Sequence, residues 1–248
     1  CWMVGFAVIV NAAGRTSVPA SCDDPLSFWR DNVEVTQNLL DLARRTGARF
    51  VHASSYVYGT PRALPVDESH PRAAHSPYAA SKIAAEDLCA AHHRETGLPV
   101  TMLRVFNAYG PGQHLPPVHA PVIPYFLKQS FNDGTLVVHG DGNQTRDYVY
   151  LDDVVQAMTA AASAVNVNQQ IINVGSGVET SLRDLVRQIT ETTGGSPQVI
   201  YNPRNEGGVR RMRADLSLAQ QLLGYQPVTS LEQGLRLTFE QDQAVRVK

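Results

Sequence analysis

Strand and helix alternate through the first half of this chain, and few folds accept that pattern. Residues 7–10 (Ala-Val-Ile-Val), 49–53 (Arg-Phe-Val-His-Ala) and 100–105 (Val-Thr-Met-Leu-Arg-Val) are short, mostly apolar runs. Such runs suit strands of a parallel sheet buried on both faces. Each gap between them has room for a helix. Asp23-Asp24-Pro25 starts one that runs to about Arg45 and closes at Gly47. A loop with Pro61, Pro65, Pro71 and Pro77 leads to a second helix, which carries Tyr78 and Lys82 and ends near Gly97. Parallel strands joined by helices imply right-handed crossovers and an open α/β sheet. Ligands of such sheets bind beyond the carboxyl ends of the strands.

Those strand ends hold polar and small residues. The first runs into Asn11-Ala12-Ala13-Gly14, where small side chains admit a flat ligand or simply a tight turn. The second runs into Ser54-Ser55-Tyr56-Val57-Tyr58-Gly59, whose hydroxyls suit either ligand contact or turn capping. Tyr78 and Lys82 stand four apart on one helix face, a phenol beside a cation that favours the phenolate. That moves the phenol towards proton exchange near neutral pH. With nine Tyr but only Lys82, Lys128 and Lys248 as lysines, such spacing arises by chance in roughly one composition in ten. Asn32, inside the first helix, reads on its own as a solvated polar residue.

The texture changes after Asn107-Ala108-Tyr109-Gly110-Pro111-Gly112. Residues 111–124 are proline-rich and aperiodic, as a loop or domain crossing would be. A helix is expected at about 122–131, a strand at 136–140, a turn at 141–143 and a strand at 146–151 leading into a helix from Asp152. A strand at 171–175, an amphipathic helix at 181–193 and two short helices within 216–240, broken at 224–227, complete the chain.

A net charge of −2 gives no electrostatic case for nucleic acid or an anionic membrane. No apolar run reaches the ~18 residues of a membrane span. Cys1, Cys22 and Cys89 lack metal-ligand spacing, and their odd number points to reduced thiols and a cytoplasmic setting. The first residues, Cys-Trp-Met-Val-Gly-Phe, have neither an initiating Met nor the basic start of a signal peptide. The chain is therefore expected to begin in the middle of a domain.

Ser-x-x-Val-Tyr-Gly, Tyr-x-x-x-Lys, Arg-x-Phe-Asn-x-Tyr-Gly-Pro, Gly-Asp-Gly-x-x-x-Arg-Asp-Tyr-Val and Asn-Val-Gly-Ser-Gly occur in that order. Together they resemble the extended short-chain dehydrogenase/reductase family, specifically its NAD-dependent nucleotide-sugar epimerases and dehydratases, over essentially all 248 residues. The resemblance implies an α/β fold: a partial Rossmann-type doubly wound parallel sheet with a smaller C-terminal α/β substrate domain. Residues 1–110 would be the C-terminal part of the NAD-binding domain. Residues 111–248 would mainly form the nucleotide-sugar domain, with about 146–176 returning to the Rossmann sheet.

Residue roles follow from the same resemblance. Ser54 matches the active-site hydroxyl, with Ser55 a neighbour lacking that role. Tyr78 matches the acid/base, and Lys82 the lysine that holds the nicotinamide ribose. Asn11, Ala12, Ala13, Asn32 and Phe106 match residues around NAD. Asn107 and Arg146 match residues on the substrate phosphates, a role suited to a guanidinium. Val138 and His139 fall where relatives cradle the nucleoside. A homodimer through helices at about 24–46 and 77–96 is also implied.

Two departures bear on function. The family's Gly-x-x-Gly-x-x-Gly loop, which binds the NAD pyrophosphate, does not occur in this chain. A C-terminal Arg-Arg-Pro-Gly-Asp-like segment is here Arg204-Asn205-Glu206-Gly207-Gly208, leaving Arg204, Arg211 or Arg213 to serve. Relatives that dehydrate or decarboxylate carry a carboxylate just after the active-site hydroxyl, where this chain has Ser55 and Tyr56. The expected reaction is thus NAD-dependent 4-epimerisation of a UDP-hexose or similar, through a 4-keto sugar. The alternatives are a 4,6-dehydratase or reductase of the same family, or a non-catalytic fragment or binding module without the NAD pyrophosphate loop.

Overall fold

The computed structural model describes residues 7–203 and 209–247. The first half runs β1 (Val8–Asn11), α1 (Val18–Asp23), α2 (Pro25–Trp29), a π-helical turn (Arg30–Glu34), α3 (Val35–Thr46), β2 (Arg49–Ser55), α4 (Pro77–Thr96), β3 (Val100–Val105) and β4 (Asn107–Tyr109). Then follow α5 (Val122–Phe131), β5 (Thr135–His139), β6 (Thr145–Arg146), β7 (Tyr148–Tyr150), α6 (Leu151–Ser163), β8 (Ile171–Val174) and β9 (Thr180–Ser181). The chain closes with α7 (Leu182–Thr193), β10 (Gln198–Asn202), α8 (Ser217–Leu223), α9 (Leu231–Gln241) and α10 (Gln243–Arg246).

β1, β2, β3 and β8 form one parallel sheet in that order. Successive strand residues face opposite sides, so both faces are apolar and both are covered. On one face Phe50, Val100 and Met102 pack with Leu40 and Ala43 of α3 and Cys89 of α4. On the other, Val51, Leu103, Ile172 and Val174 pack with Val154, Ala157 and Ala161 of α6 and Ala219 of α8. Each fully buried aliphatic or aromatic side chain contributes roughly 1.5–3 kcal/mol. The doubly wound α/β sheet expected from the strand runs is therefore present. A separate core joins Phe126 and Leu127 of α5, Leu136 and Val138 of β5, Tyr148 of β7, Leu185 and Ile189 of α7 and Leu235 of α9. Here β5 and β10 pair in parallel, β6 and β9 antiparallel, and β4 and β7 in parallel.

Three local expectations are corrected. The helix expected from 23 to 45 is divided. Ser17 caps α1, a helix the sequence reading missed, by accepting from the Ala20 amide at 3.4 Å. Asp24 caps α2, and a π turn follows. The strand expected at 146–151 splits at Asp147, whose carboxylate accepts from the Ser176, Gly177 and Ala214 amides and from Ser176 Oγ. Those partners come from distant loops, so no local pattern announces the break. β10 was also absent from the sequence reading, because its side chains are mostly exposed or half-buried and lack a strong apolar run.

α4 is well specified locally. Ser76 accepts from the Ala79 amide at 3.1 Å, Pro77 takes the first position, and Gly97 at φ 71° ends the helix. This fixes where Tyr78 and Lys82 enter. No helix among the described residues is long and apolar enough to cross a membrane.

Candidate active site

α4 lies against the carboxyl end of β2, and its residues Tyr78, Lys82 and Glu86, four apart, share a face. Lys82 Nζ donates to the Ala53 carbonyl at 2.7 Å. Ser54 Oγ donates to Glu86 Oε1 at 2.6 Å. Tyr78, Lys82, Ser54 and Ser55 line one cleft of about 440 Å³, together with Ala12, Ala13 and Phe106.

Ser54, the hydroxyl that the resemblance singles out, donates to buried Glu86 in this ligand-free arrangement and lines the cleft with Ser55 and Tyr78. One reading of this cluster changes. The phenol was expected to be lowered by Lys82. Burial instead pushes Tyr78 up to about 12. Burial likewise pulls Lys82 down to about 8, against the opposing pull of Glu86. Desolvation outweighs the cation here, and the ammonium is engaged on a backbone carbonyl.

Asn32 is not a solvated residue. It is 1% exposed, in the π turn, a helix irregularity frequent at functional sites. Its Oδ1 accepts from the Arg15 amide at 2.7 Å, and its Nδ2 donates to Ser81 Oγ at 2.9 Å, tying the turn after β1 to α4. Asn11 is buried too, with Nδ2 on Thr36 Oγ1 at 3.1 Å and its Oδ1 accepting from the Ala13 amide at 3.2 Å. It therefore shapes the turn from within. At Gly14, a Cβ would stand 2.5 Å from Asn32 Oδ1, so the close approach requires glycine.

Phe106 is buried at the end of β3 and stacks on Tyr56, ring centroids 5.1 Å apart. Tyr56 donates from its hydroxyl to Asn107 Oδ1 at 3.1 Å. Sequence reasoning gave Tyr56 no part in the site beyond lacking a carboxylate, and it passed over Glu86 altogether. The spacing 78–82–86 was the available signal for Glu86.

Asn107 also lines a neighbouring cavity of about 670 Å³, together with Val138, His139 and Arg146. Of the five substrate residues inferred from the sequence within the described region, these four share one cavity, and Ser54 lines the neighbouring cleft instead. Val138 packs its side chain into the core beside Leu136, while His139 is exposed, as alternation along β5 requires. Arg146 Nη1 donates to the carbonyls of Thr145 at 2.8 Å and Val209 at 2.7 Å. Arg204 lies outside the described residues. Arg211 grips Glu179 through two hydrogen bonds of 2.6 and 2.7 Å, and Arg213 lines a different recess with Arg62 and Arg210.

Comparison with known proteins decides the family. The profile of the NAD dependent epimerase/dehydratase family matches residues 3–175. The chain belongs to that family. UDP-glucose 4-epimerase of Mycolicibacterium smegmatis is 39% identical over 236 residues, covering 94% of this chain and 75% of the relative. UDP-glucuronic acid decarboxylase 1 of Xenopus tropicalis is 32% identical over 240 residues, covering 93% of this chain and 55% of the relative. Among solved structures, UDP-glucose 4-epimerase of Thermotoga maritima with UDP-glucose superposes with a TM-score of 0.88 at 31% identity, covering 94% of this chain and 76% of that one. UDP-glucuronic acid 4-epimerase of Bacillus cereus, in complex with UDP-glucuronic acid and NAD, gives 0.87 at 31% identity and covers 94% and 74%. The Rossmann-type fold of these epimerases is the fold of this chain. The cleft fits the cofactor on which the family depends: the small residues Ala12, Ala13 and Gly14 line it together with Phe106 and Lys82.

Proposed function

We propose that this protein is an NAD-dependent nucleotide-sugar 4-epimerase acting on a UDP-hexose or similar substrate. The observation that carries the reading is the chemistry of the cleft wall. Among its described lining residues there is no Asp or Glu. A 4,6-elimination or a decarboxylation needs further acid/base groups after oxidation at C4, and the positions just after the Ser54 hydroxyl hold Ser55 and Tyr56, neither a carboxylate.

Asn107, Val138, His139 and Arg146, with Arg204, hold the nucleotide diphosphate, and the sugar extends into the cleft beside Tyr78. Ala12, Ala13, Asn32, Phe106 and Lys82 hold NAD, with Asn11 shaping the turn. Held there, NAD would supply reversible hydride transfer at C4 of the sugar. Tyr78 takes the O4 proton in the forward step and gives it back after the 4-keto sugar has turned over. Lys82 stabilises the phenolate through its charge, and a seryl hydroxyl hydrogen-bonds O4.

In this reading residues 1–110 belong to the NAD-binding domain and 111–248 mainly to the nucleotide-sugar domain, with about 146–176 returning to the first. The enzyme works as a homodimer through α3 and α4, in the cytoplasm, where the unpaired Cys22 and Cys89 remain thiols. The test is to incubate the full-length protein and NAD with a panel of nucleotide sugars and follow products by mass spectrometry and proton NMR. Interconversion of C4 epimers at constant mass is expected. A 4-keto-6-deoxy sugar or a pentose product would overturn the proposal.

A further inference from the structure

A chain whose net charge is −2 gathers four guanidinium groups around one recess. The recess measures about 410 Å³, and Arg62, Arg210, Arg211, Arg213 and Glu179 line it beside the loop from Thr60 to Leu64. That volume lies within the roughly 300–1,000 Å³ of small-ligand sites. Among the described residues, it shares none with the substrate cavity. β6 contributes to both: Thr145 Oγ1 donates to Glu179 Oε1 at 2.5 Å, while the next residue, Arg146, lines the substrate cavity. The wall is fixed by the fold. Met212 and Ala214 are buried in the core, and Arg211 and Arg213 alternate with them along the same segment. Both sides of that segment are tied down. The Arg210 carbonyl accepts from the Thr145 amide at 2.9 Å, and the Arg213 carbonyl from the Val66 amide at 2.8 Å.

Glu179 does not neutralise the recess. Its two oxygens accept from Arg211 Nε and Nη2 at 2.6 and 2.7 Å, and chiefly that contact brings its carboxyl down to about 2. One guanidinium is thereby matched and three remain. Among the described residues, Arg62 and Arg213 form no salt bridge, and Arg210 has only Asp141, at 3.9 Å. The Asp141 carboxylate is itself engaged by Asn143 through two hydrogen bonds of 2.8 Å. Like charges around one space repel unless an anion sits among them. We propose that this recess is a second anion site, separate from the substrate cavity, that takes the phosphate group of a small molecule. Planar guanidinium forks donate in pairs and suit the several oxygens of a phosphate, which carries close to two charges near pH 7. Free phosphate and a phosphate ester share that chemistry. The resemblance offered Arg211 and Arg213 to the substrate phosphates, yet neither lines the substrate cavity. The site also stands apart from the epimerase reading, since no described residue of the catalytic cleft lines it.

The experiment uses the full-length protein at low ionic strength, with one equivalent of UDP filling the substrate cavity so that added anion does not report from there. Inorganic phosphate and glycerol 3-phosphate are titrated separately, by calorimetry and by NMR of the arginine side-chain Nε–Hε signals. Saturable binding with a Kd of about 1 mM or tighter is expected. The signals of Arg62, Arg210 and Arg213 should shift, and those of exposed Arg44 and Arg187 should not. Binding of phosphate alone marks a free-phosphate site, and binding of both marks a site for esters as well. Arg62→Met combined with Arg210→Met should weaken binding at least about tenfold, with the Kd for UDP changed less than about twofold. Arg44→Met combined with Arg187→Met removes the same charge elsewhere and should change phosphate binding less than about twofold, because distant exposed charges are screened. No saturable binding of either anion, release of bound phosphate by UDP, or equal weakening in both double variants would overturn the proposal.

Discussion

Replacing Lys82 with Met should make the ligand-free protein more stable while abolishing turnover. Lys82 is 7% exposed, and burial pulls it from 10.5 down to about 8. At roughly 1.36 kcal/mol per pH unit, keeping the ammonium charged in the fold costs about 3 kcal/mol. Below pH 8 the group is protonated in both folded and unfolded chains, so the full penalty applies. Between about 8 and 10.5 the unfolded chain binds the extra proton, and stability rises with pH. Above 10.5 the penalty has gone. Methionine has similar length and no charge, but it loses the 2.7 Å hydrogen bond to the Ala53 carbonyl, worth about 1–2 kcal/mol. The net gain at pH 7 is therefore about 1–2 kcal/mol, a rise in Tm of about 2–8 °C for a chain of this size. The assay is thermal and urea unfolding of NAD-free wild type and Lys82→Met at pH 7, 9 and 10.5. The gap should narrow as pH rises. A variant less stable than wild type at pH 7, or a gap independent of pH, would refute the desolvation argument. Such a conflict between stability and function is common where activity needs a buried charge.

Other sites give sharper structural tests. Asp147→Asn puts an amide where a carboxylate accepts four hydrogen bonds of 2.7 to 3.0 Å; urea unfolding should show a loss of about 2–4 kcal/mol. Gly234→Ala places a methyl 2.1 Å from Tyr109 Oη, and the overpacking should cost about 1–3 kcal/mol by the same measurement. Arg146→Met should weaken UDP binding at least about tenfold by calorimetry, with the Tyr78 chemistry intact once substrate is saturating.

Much of this protein can be read from local pattern alone. The apolar runs at β1, β2 and β3 specify a parallel sheet because each must be buried on both faces. Ser76, Pro77 and Gly97 bound α4, and the four-residue spacing puts Tyr78 and Lys82 on one face of it before any tertiary contact forms. Asn107, Val138, His139 and Arg146 sit far apart in the chain, yet their motifs were enough to group them in one cavity. The tertiary structure decided what depends on long-range partners. Ser54 and Ser55 are chemically identical, and only the docking of α4 and Arg104 on β2 sets the Ser54 hydroxyl against Glu86. Asn32 looks solvated until the π turn carries it inward to Ser81. The ionisation of Tyr78 and Lys82 could not be read from their spacing, because proximity of charge is a local property and loss of water is a property of the whole fold.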